Sequence, residues 1–382
     1  MFRKDLSHSF ICLFSCLLFN SFVIAQSFNR VENLSGLGIL EENNGASVAD
    51  YDADNDLDIF VVAKSIDKMG IEKTQSKLFR NNNDGTFEDV TEQSGLLGIL
   101  TSEEITLDNS ALDGFKYGAS WGDFNNDGFP DIILTYSLKI QLYLNQGDGT
   151  FKDVTNSAGI EGFNNCITPS ATWFDYNNDG YLDLYITTWG VCENVKLYEN
   201  KKDGTFLDAS NKIQLPNAAY YYQAFPFDFN KDGWMDLYIT NDLFNANPLL
   251  INQNGTEFIE DAVTYGVQNN GNDMGVAIGD YNSDGNFDFY VTNINENFLL
   301  KSNGDRTFSD IALEKNVRNV GWSWDAKFAD FDLDGDEDLF VVNGYDFAFT
   351  DEEYNAYYKN LLNEGQDAFV EIAAEINLKD LT

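Results

Sequence analysis

Short apolar stretches alternate with aspartate-rich polar loops along most of this chain. One segment recurs six times as an apolar stretch, a loop and a second apolar stretch; two copies read ASWGDFNNDGFPDIILT and VAIGDYNSDGNFDFYVT. The six loops begin at Asp50, Asp123, Asp175, Asp228, Asp280 and Asp330, so the last five copies recur about every 50 residues. Self-similarity at such a period indicates a repeat architecture.

A second unit alternates with the first. It pairs a short apolar run with a Gly-containing turn and a further strand, which opens on Phe87, Phe151, Phe206, Phe258, Phe308 or Phe369. Strands of five to six residues joined by turn residues are typical of hairpins. Each period therefore predicts four short antiparallel strands, and nothing helical of comparable strength lies between them.

Four-stranded units in series predict an all-β fold, a β-propeller of four-stranded blades, in which radial packing leaves only short edges. A linear solenoid is the alternative, but solenoids usually have shorter repeats and need polar caps. Small side chains that suit the crowded centre of a ring stand four residues before each lead aspartate, at Ala46, Ala119, Ala171, Ala224, Val276 and Ala326.

The six loop repeats predict six or seven blades. Residues 28–37 repeat the spacing of residues 87–96, so the chain opens with an outer fourth strand. Residues 369–372 supply the last unit with a fourth strand as well. Either six blades close with one strand to spare, or a seventh blade lies beyond Thr382.

The start of the chain differs from the repeats. Arg3 and Lys4 precede an apolar run over residues 10–24, which is followed by Ala25. A short basic start, an apolar run and a small residue before the cut are typical of a secretory signal peptide. We therefore expect residues 1–25 to be a signal peptide.

A membrane anchor is the alternative for this segment. It needs about 20 apolar residues, and Asn20 interrupts the run; a lipid-anchored form cut at Cys16 is a minor further possibility. No other segment is long and apolar enough to span a membrane. The sequence thus predicts a propeller over residues 26–382 that is secreted or otherwise extracytoplasmic, in the periplasm or at the cell surface.

Charge restricts the partners. The chain has 23 Lys and Arg against 63 Asp and Glu, a formal charge of −40, while 43% of its residues are hydrophobic. Nucleic acid and anionic lipid require a basic face, so neither is an expected partner. The one histidine, His8, lies in the predicted signal peptide. This excludes histidine-dependent nucleophiles and histidine-ligated metals in the remainder of the chain.

The loops themselves carry a regular set of oxygen donors. Numbered from the lead aspartate, each has side-chain oxygens at positions 1, 3, 5 and 9, and glycine at position 6 in all but the first, which has Asn55. A tight loop needs a residue that tolerates positive φ at this turn. The donors are Asp50, Asp52, Asp54 and Asp58; Asp123, Asn125, Asp127 and Asp131; Asp175, Asn177, Asp179 and Asp183; Asp228, Asn230, Asp232 and Asp236; Asp280, Asn282, Asp284 and Asp288; and Asp330, Asp332, Asp334 and Asp338.

Several carboxylates in a flexible loop, without cysteine or histidine, select Ca²⁺ over other metals. Metal-free hairpin turns are the alternative, because Asp, Asn and Gly are common in turns. That alternative does not explain why aspartate stands at position 9 in all six copies. We therefore expect about six calcium sites, which would offset part of the negative charge.

These residues resemble the FG-GAP/VCBS repeats of integrin α chains and related propellers. The pairing of DxNxDGxxDLY with NxxxGTFxDV is most similar to proteins related to cartilage acidic protein, which often carry an ASPIC/UnbV domain. The resemblance implies a calcium propeller whose loops lie on the lower face of the ring. It implies little about function, because the same fold serves many roles.

On that model, Cys166 and Cys192 share the upper face, and two cysteines in an exported chain are a plausible disulfide; two isolated thiols are the alternative. The same face would collect aromatic and amide side chains suited to a sugar or peptide. These residues are Tyr117, Trp189, Tyr222, Asn241, Asn293, Trp324, Asn343 and Tyr345. Packing of the aromatics between blades is the alternative.

Two functional classes follow. The first is a binding or adhesion module for an extracellular protein or glycan. The second is a calcium-dependent polysaccharide lyase, which needs a base and cations to neutralise a uronate. Without histidine the base would be Lys or Tyr, and no basic cluster is evident. The binding module is favoured, and no catalytic residue is assigned.

Overall fold

The computed structural model describes most of the repeat region. The described residues are 35–37, 43–63, 76–96, 116–136, 139–161, 166–190, 195–215, 220–318, 321–344 and 354–378. The predicted signal peptide, Cys192 and Tyr345 lie outside them. Within them almost all regular structure is β-strand, arranged as six four-stranded antiparallel blades in a ring.

The first three blades occupy the first half of the chain. The first blade contains β1 (Asn43–Ala49), β2 (Asp58–Ala63), β3 (Lys77–Asn81) and β4 (Phe87–Asp89). The second contains β5 (Lys116–Gly122), β6 (Asp131–Tyr136), β7 (Ile140–Asn145) and β8 (Phe151–Asp153). The third contains β9 (Ala171–Phe174), β10 (Asp183–Ile186), β11 (Lys196–Asn200) and β12 (Phe206–Asp208).

The last three blades repeat this order. The fourth contains β13 (Tyr221–Phe227), β14 (Asp236–Asn241), β16 (Leu249–Asn252) and β17 (Phe258–Glu260). The fifth contains β19 (Val276–Gly279), β20 (Asp288–Val291), β21 (Phe298–Ser302) and β22 (Phe308–Asp310). The sixth contains β23 (Ser323–Ala329), β24 (Asp338–Asn343), β25 (Ala356–Asn360) and β26 (Phe369–Glu371).

A few short elements lie outside the four-stranded blades. Strands β15 (Asn245–Ala246) and β18 (Asn270–Gly271) form a two-stranded sheet of their own. Helices α1 (Thr91–Ser94) and α2 (Ala262–Tyr265) have four residues each, and Ser210–Lys212 forms a 3₁₀ turn. The predicted propeller is confirmed, with six blades, and every fourth strand begins at its predicted phenylalanine.

The core lies between the blades. The first strands of neighbouring blades, such as β1 and β5 or β19 and β23, contact one another, which places them at the centre of the ring. Farther out, Phe60 and Leu78 of the first blade pack against Ile132 and Leu134 of the second, and all four are buried. Similar clusters join the other consecutive blades. Burial of this apolar surface stabilises the ring.

Threonines add polar ties between blades two to six. The Thr240 hydroxyl donates to the Met274 carbonyl at 2.7 Å, and the Thr187 hydroxyl donates to the Tyr222 carbonyl at 2.9 Å. The residue of the last blade that corresponds to these threonines is Val342, and its side chain is 37% exposed. On the first strand of the first blade, Val48 is 57% exposed. The faces of the first and last blades are thus less covered than the faces between the other blades.

Candidate metal centres

The six Asp loops, each defined as nine residues from the lead aspartate, connect the first and second strands of every blade. The first runs over residues 50–58 and the last over residues 330–338. Position 9 begins the second strand, as Asp131 begins β6. All six predicted sets of donors therefore lie at one end of the blades, at the same place in each.

Two residues in each loop adopt positive φ. Position 6 does so in every loop, including Asn55 at 71°, as the sequence predicts. Position 4 does so as well, and this was not predicted, because the residues there share no chemistry. They are Ala53, Asn126, Asn178, Lys231, Ser283 and Leu333, with φ of 53–60°. The two left-handed residues curl the loop so that alternate side chains point inward.

The lead aspartate holds this curl in place. In the second loop, Asp123 Oδ1 accepts a hydrogen bond from the Asp127 N–H at 3.0 Å, and Oδ2 accepts one from the Gly128 N–H at 2.8 Å. The same two bonds occur in the other five loops. Each lead carboxylate thus accepts hydrogen bonds from two backbone N–H groups and places its negative charge inside the loop.

Position 9 is the buried end of each loop. The six aspartates there are all 0% exposed: Asp58, Asp131, Asp183, Asp236, Asp288 and Asp338. In the second loop, Asp131 accepts hydrogen bonds from the N–H groups of Asn145 at 2.8 Å and Phe124 at 3.2 Å. Burial nevertheless raises the pKa of Asp131 to about 7, and the nearby Asp127 and Asp123 add to this rise. Buried carboxylates of this kind favour a cation beside them.

Asparagines at the ends of the third strands connect four of the loops to the next blade. The Asn252 side-chain amide donates to the Tyr176 carbonyl of the preceding blade at 2.8 Å and to the Met235 carbonyl at 3.0 Å. Asn145, Asn200 and Asn360 do the same, whereas the fifth blade has Ser302. Sequence reasoning missed this role, although the recurrence of asparagine just before the Gly-containing turn marks the position.

The first loop fits a cation. Oxygens of Asp50, Asp52 and Asp58 lie within 4.8 Å of one another. Asp52 Oδ1 is buried and has no hydrogen-bond partner among the described residues. Burial raises the pKa of Asp52, and the charges of Asp54 and Asp50 raise it further. An anionic oxygen without a donor, beside two further carboxylates, matches the oxygen ligands that Ca²⁺ prefers.

Loops two to five have one amide in place of a carboxylate at position 3. In three of these loops that amide donates to the carboxylate at position 5, as Asn125 does to Asp127 at 2.8 Å. In the fifth loop, Asp288 Oδ2 is buried without a partner among the described residues. Positions 1, 3, 5 and 9 together thus offer hard oxygen donors in each of these loops.

The sixth loop differs. The Lys359 ammonium forms ion pairs with Asp332 and, at 2.5 Å, with Asp334, and Glu364 lies 3.5 Å away. The Tyr357 hydroxyl donates to Asp338 Oδ2 at 2.6 Å. Three of the four predicted ligands of this loop therefore already have side-chain partners from β25.

At the opposite end of the blades, aromatic side chains converge from non-adjacent blades. Tyr222 of the fourth blade and Trp324 of the sixth have ring centroids 6.3 Å apart, and Trp322 stacks on Trp324 at 5.9 Å. Burial raises the pKa of Tyr222, and the proximity of Tyr117 of the second blade contributes. Tyr117, Tyr222 and Trp324 each lie at a register shift of the first strand, where a bulge re-aims a side chain. We call Tyr117, Tyr222, Trp322 and Trp324 the central aromatic cluster.

The three predicted amides have a different role on this face. Asn241, Asn293 and Asn343 are buried. Their side-chain amides donate to the backbone carbonyls of Ala246, Glu296 and Tyr354, each at 3.0 Å. These bonds hold the connection between the second and third strands, and the role of the three amides toward a ligand stays a prediction.

Trp189 lies between the third and fourth blades. Its indole N–H donates to Asp242 at 3.1 Å, and its ring meets Tyr220 edge to face at 5.1 Å. Cys166 is buried and disulfide-bonded. Cys192 is outside the described residues, so its pairing with Cys166 stays a prediction.

Comparisons with known proteins address the family. A model of the FG-GAP-like repeat matches residues 123–186, 175–239, 228–291 and 280–341. Together these segments cover more than half of the chain and include the second to sixth Asp loops. No curated protein sequence matches. The narrower similarity to cartilage acidic protein and ASPIC/UnbV proteins stays a prediction.

Solved structures from several organisms show similarity to this chain. An Agrocybe aegerita lectin described as recognising non-reducing terminal N-acetylglucosamine is 17% identical, with a TM-score of 0.49, over 87% of this chain and 80% of the lectin chain. The Photorhabdus luminescens Tc holotoxin pore is 14% identical, with a TM-score of 0.39, over 83% of this chain and 14% of its own. The V. cholerae biofilm matrix protein Bap1 is 12% identical, with a TM-score of 0.39, over 75% and 41%.

This chain therefore spans less than half of the toxin and Bap1 chains that it matches. Within its described residues, no helix has the length and apolar character needed to cross a membrane. The repeated Asp loops, the six blades and the match to residues 123–341 lead to one conclusion: the chain belongs to the FG-GAP-like repeat family.

Proposed function

We propose that this protein is a calcium-binding propeller that uses the face opposite its Asp loops to bind a protein or glycan outside the cytoplasm. The observation that carries the calcium part is the fully buried aspartate at position 9 of every loop, beside two or three further carboxylates. A divalent cation offsets the cost of burying these charges.

The binding part rests on the central aromatic cluster. Flat aromatic rings with polar edges suit the apolar faces of sugars and the side chains of peptides. The cluster draws residues from three blades, so its shape depends on the whole ring. Rigid loops at the other end would hold these blades in register.

Calcium is tested by equilibrium dialysis and elemental analysis of the exported chain. We expect several ions per chain, and a lower melting temperature in excess chelator that calcium restores, because an ion that binds the native state stabilises it. Asp179→Ala should remove about one ion, since Asp179 is at position 5 of the third loop. The matched control is Asp203→Ala in the same blade, whose carboxylate accepts from the Thr205 hydroxyl in an exposed turn. Full calcium binding by Asp179→Ala would reject this site.

Partner binding is tested on arrays of glycans and extracellular proteins, with and without calcium. Trp324→Ala should weaken any partner that wild type binds, whereas Leu313→Ala, which removes a side chain that is 71% exposed elsewhere, should not. Equal binding by both variants would contradict the assignment of this face. A parallel assay on polyuronates tests the lyase alternative, which predicts an unsaturated product that absorbs in the ultraviolet.

A further inference from the structure

The sixth Asp loop carries its own cation. The loop has five aspartates, at residues 330, 332, 334, 336 and 338, as the first loop does at residues 50, 52, 54, 56 and 58. Loops two to five have three each. The two loops are therefore matched in their aspartates, although the sixth also has Glu337.

A further difference between them lies on the third strand. Arg80 of the first blade and Lys359 of the sixth occupy the same place, one residue before the asparagine that ends the strand. The Arg80 guanidinium donates to Glu88 at 2.6 Å, on the neighbouring strand. Lys359 instead reaches its loop, where its ammonium contacts the carboxylates at positions 3 and 5.

The two loops differ in the oxygen at position 3. Asp330, Asp332 and Asp338 have oxygens within 4.8 Å of one another, as Asp50, Asp52 and Asp58 do, and Asp336 Oδ1, like Asp56 Oδ1, is buried without a hydrogen-bond partner within the described part of the chain. Asp52 Oδ1 of the first loop is also buried without such a partner. In the sixth, Asp332 and Asp334 pair with Lys359, and Tyr357 donates to Asp338. The Lys359 side chain is only 11% exposed, so its charge is enclosed by these carboxylates.

The Lys359 ammonium contacts two of the four carboxylates that a metal ion in this loop would need. Ca²⁺ binds oxygen at about 2.3–2.6 Å and takes six to eight ligands. The Lys359 ammonium is 2.5 Å from Asp334 Oδ2, a distance at which an ion would itself lie. A lysine ammonium is a compact point charge, so it can stand between two carboxylates where a metal otherwise would.

We propose that the Lys359 ammonium takes the place of the calcium ion in the sixth loop, so that the chain binds five calcium ions and has one internal cation. This rests on the proposed calcium binding of the other loops. It assigns to Lys359 the role of a tethered counter-ion, which makes the last blade independent of calcium while the other five require it.

The test is calcium stoichiometry by dialysis and elemental analysis at saturating calcium. Wild type should bind five ions, and Lys359→Met should bind six because the carboxylates are released. Arg80→Met is the matched control and should still bind five. Lys359→Gln, which keeps a polar side chain, provides a second variant if the methionine variant does not fold.

Melting curves add a readout that a merely structural lysine would not produce. In chelator, Lys359→Met should have a lower melting temperature than wild type, because the carboxylates of its sixth loop lack a cation. Saturating calcium should remove this difference. Six ions in wild type, or five in both Lys359 variants, would overturn the internal cation while leaving calcium binding intact. No bound calcium in any of these proteins would overturn the proposed function, and the internal cation with it.

Discussion

The hydrogen bonds that the third-strand asparagines form with the preceding blade can be tested with one substitution that removes them and one that adds them. Asn252 is 1% exposed; its amide donates to carbonyls at 2.8 and 3.0 Å, and its Oδ1 accepts from the Gly255 N–H at 2.7 Å. Ser302 is the corresponding residue of the fifth blade, and its N–H donates to Asp288 at 2.8 Å as the Asn252 N–H does to Asp236 at 2.7 Å. The two sites thus share a backbone and differ in side-chain reach.

We expect Asn252→Ser to lower the free energy of unfolding by about 2–4 kcal/mol. It removes the donor to two buried carbonyls, and each buried polar group left without a partner costs about 1–3 kcal/mol. The reverse change, Ser302→Asn, should raise the free energy of unfolding by about 1 kcal/mol, because it supplies the fifth blade with the missing tie to the fourth.

Urea denaturation in saturating calcium measures both changes, with Ser309→Asn on the exposed side of β22 as the control for an added amide. The midpoint should fall for Asn252→Ser, rise for Ser302→Asn and stay unchanged for the control. If Asn252→Ser leaves the midpoint unchanged, the ties carry no stability and the reasoning is refuted.

Three further predictions concern packing and charge. Gly275→Ala should destabilise the fold by about 2–4 kcal/mol in urea, because its Cβ would lie 2.7 Å from the Trp324 carbonyl oxygen; Gly45→Ala, with nothing within 4 Å, should be neutral. Thr240→Val should cost about 1–2 kcal/mol in the same assay, since it removes the 2.7 Å bond to Met274, and an unchanged midpoint would refute this tie. In chelator, the melting temperature should be higher at pH 5.5 than at pH 8. Burial raises the pKa of four position-9 aspartates to about 7 in the folded state, so the fold binds extra protons that it loses as pH rises. Saturating calcium should remove this dependence on pH because calcium competes with protons for the aspartates. Calorimetry measures the melting temperature at each pH, and a melting temperature that does not change with pH in chelator would contradict the prediction.

The fold could be predicted in some detail from sequence because its determinants are local. Alternating apolar positions and Gly-containing turns recur at a constant spacing, so the start of each fourth strand, from Phe87 to Phe369, was correctly predicted. The Asp loops could be identified from the sequence as well, since each consists of nine contiguous residues. The number of blades could not be predicted, because strand pairing at the ends of the chain depends on how the ring closes.

Other features depend on residues that are distant in the chain. The asparagine that ends the third strand of blades two, three, four and six contacts the preceding blade, as Asn252 does at Tyr176, and its own turn explains only part of its role. The amides of Asn241, Asn293 and Asn343 were predicted as donors to a ligand, and each donates one hydrogen bond to a backbone carbonyl. A motif shows that a polar residue recurs, whereas only the packing shows which partner satisfies it.

The sequence by itself determined the repeat, the blade composition and the donor sets of the Asp loops, since these follow from spacing over a few residues. Tertiary structure decided that there are six blades, that Tyr222 and Trp324 meet across blades, and that Lys359 pairs with carboxylates of the sixth loop whereas Arg80 pairs with Glu88. The physical reason is the same in each case. Short-range geometry is encoded by neighbours in the chain, but the partner of a charge or a ring is set by how separate blades are brought together.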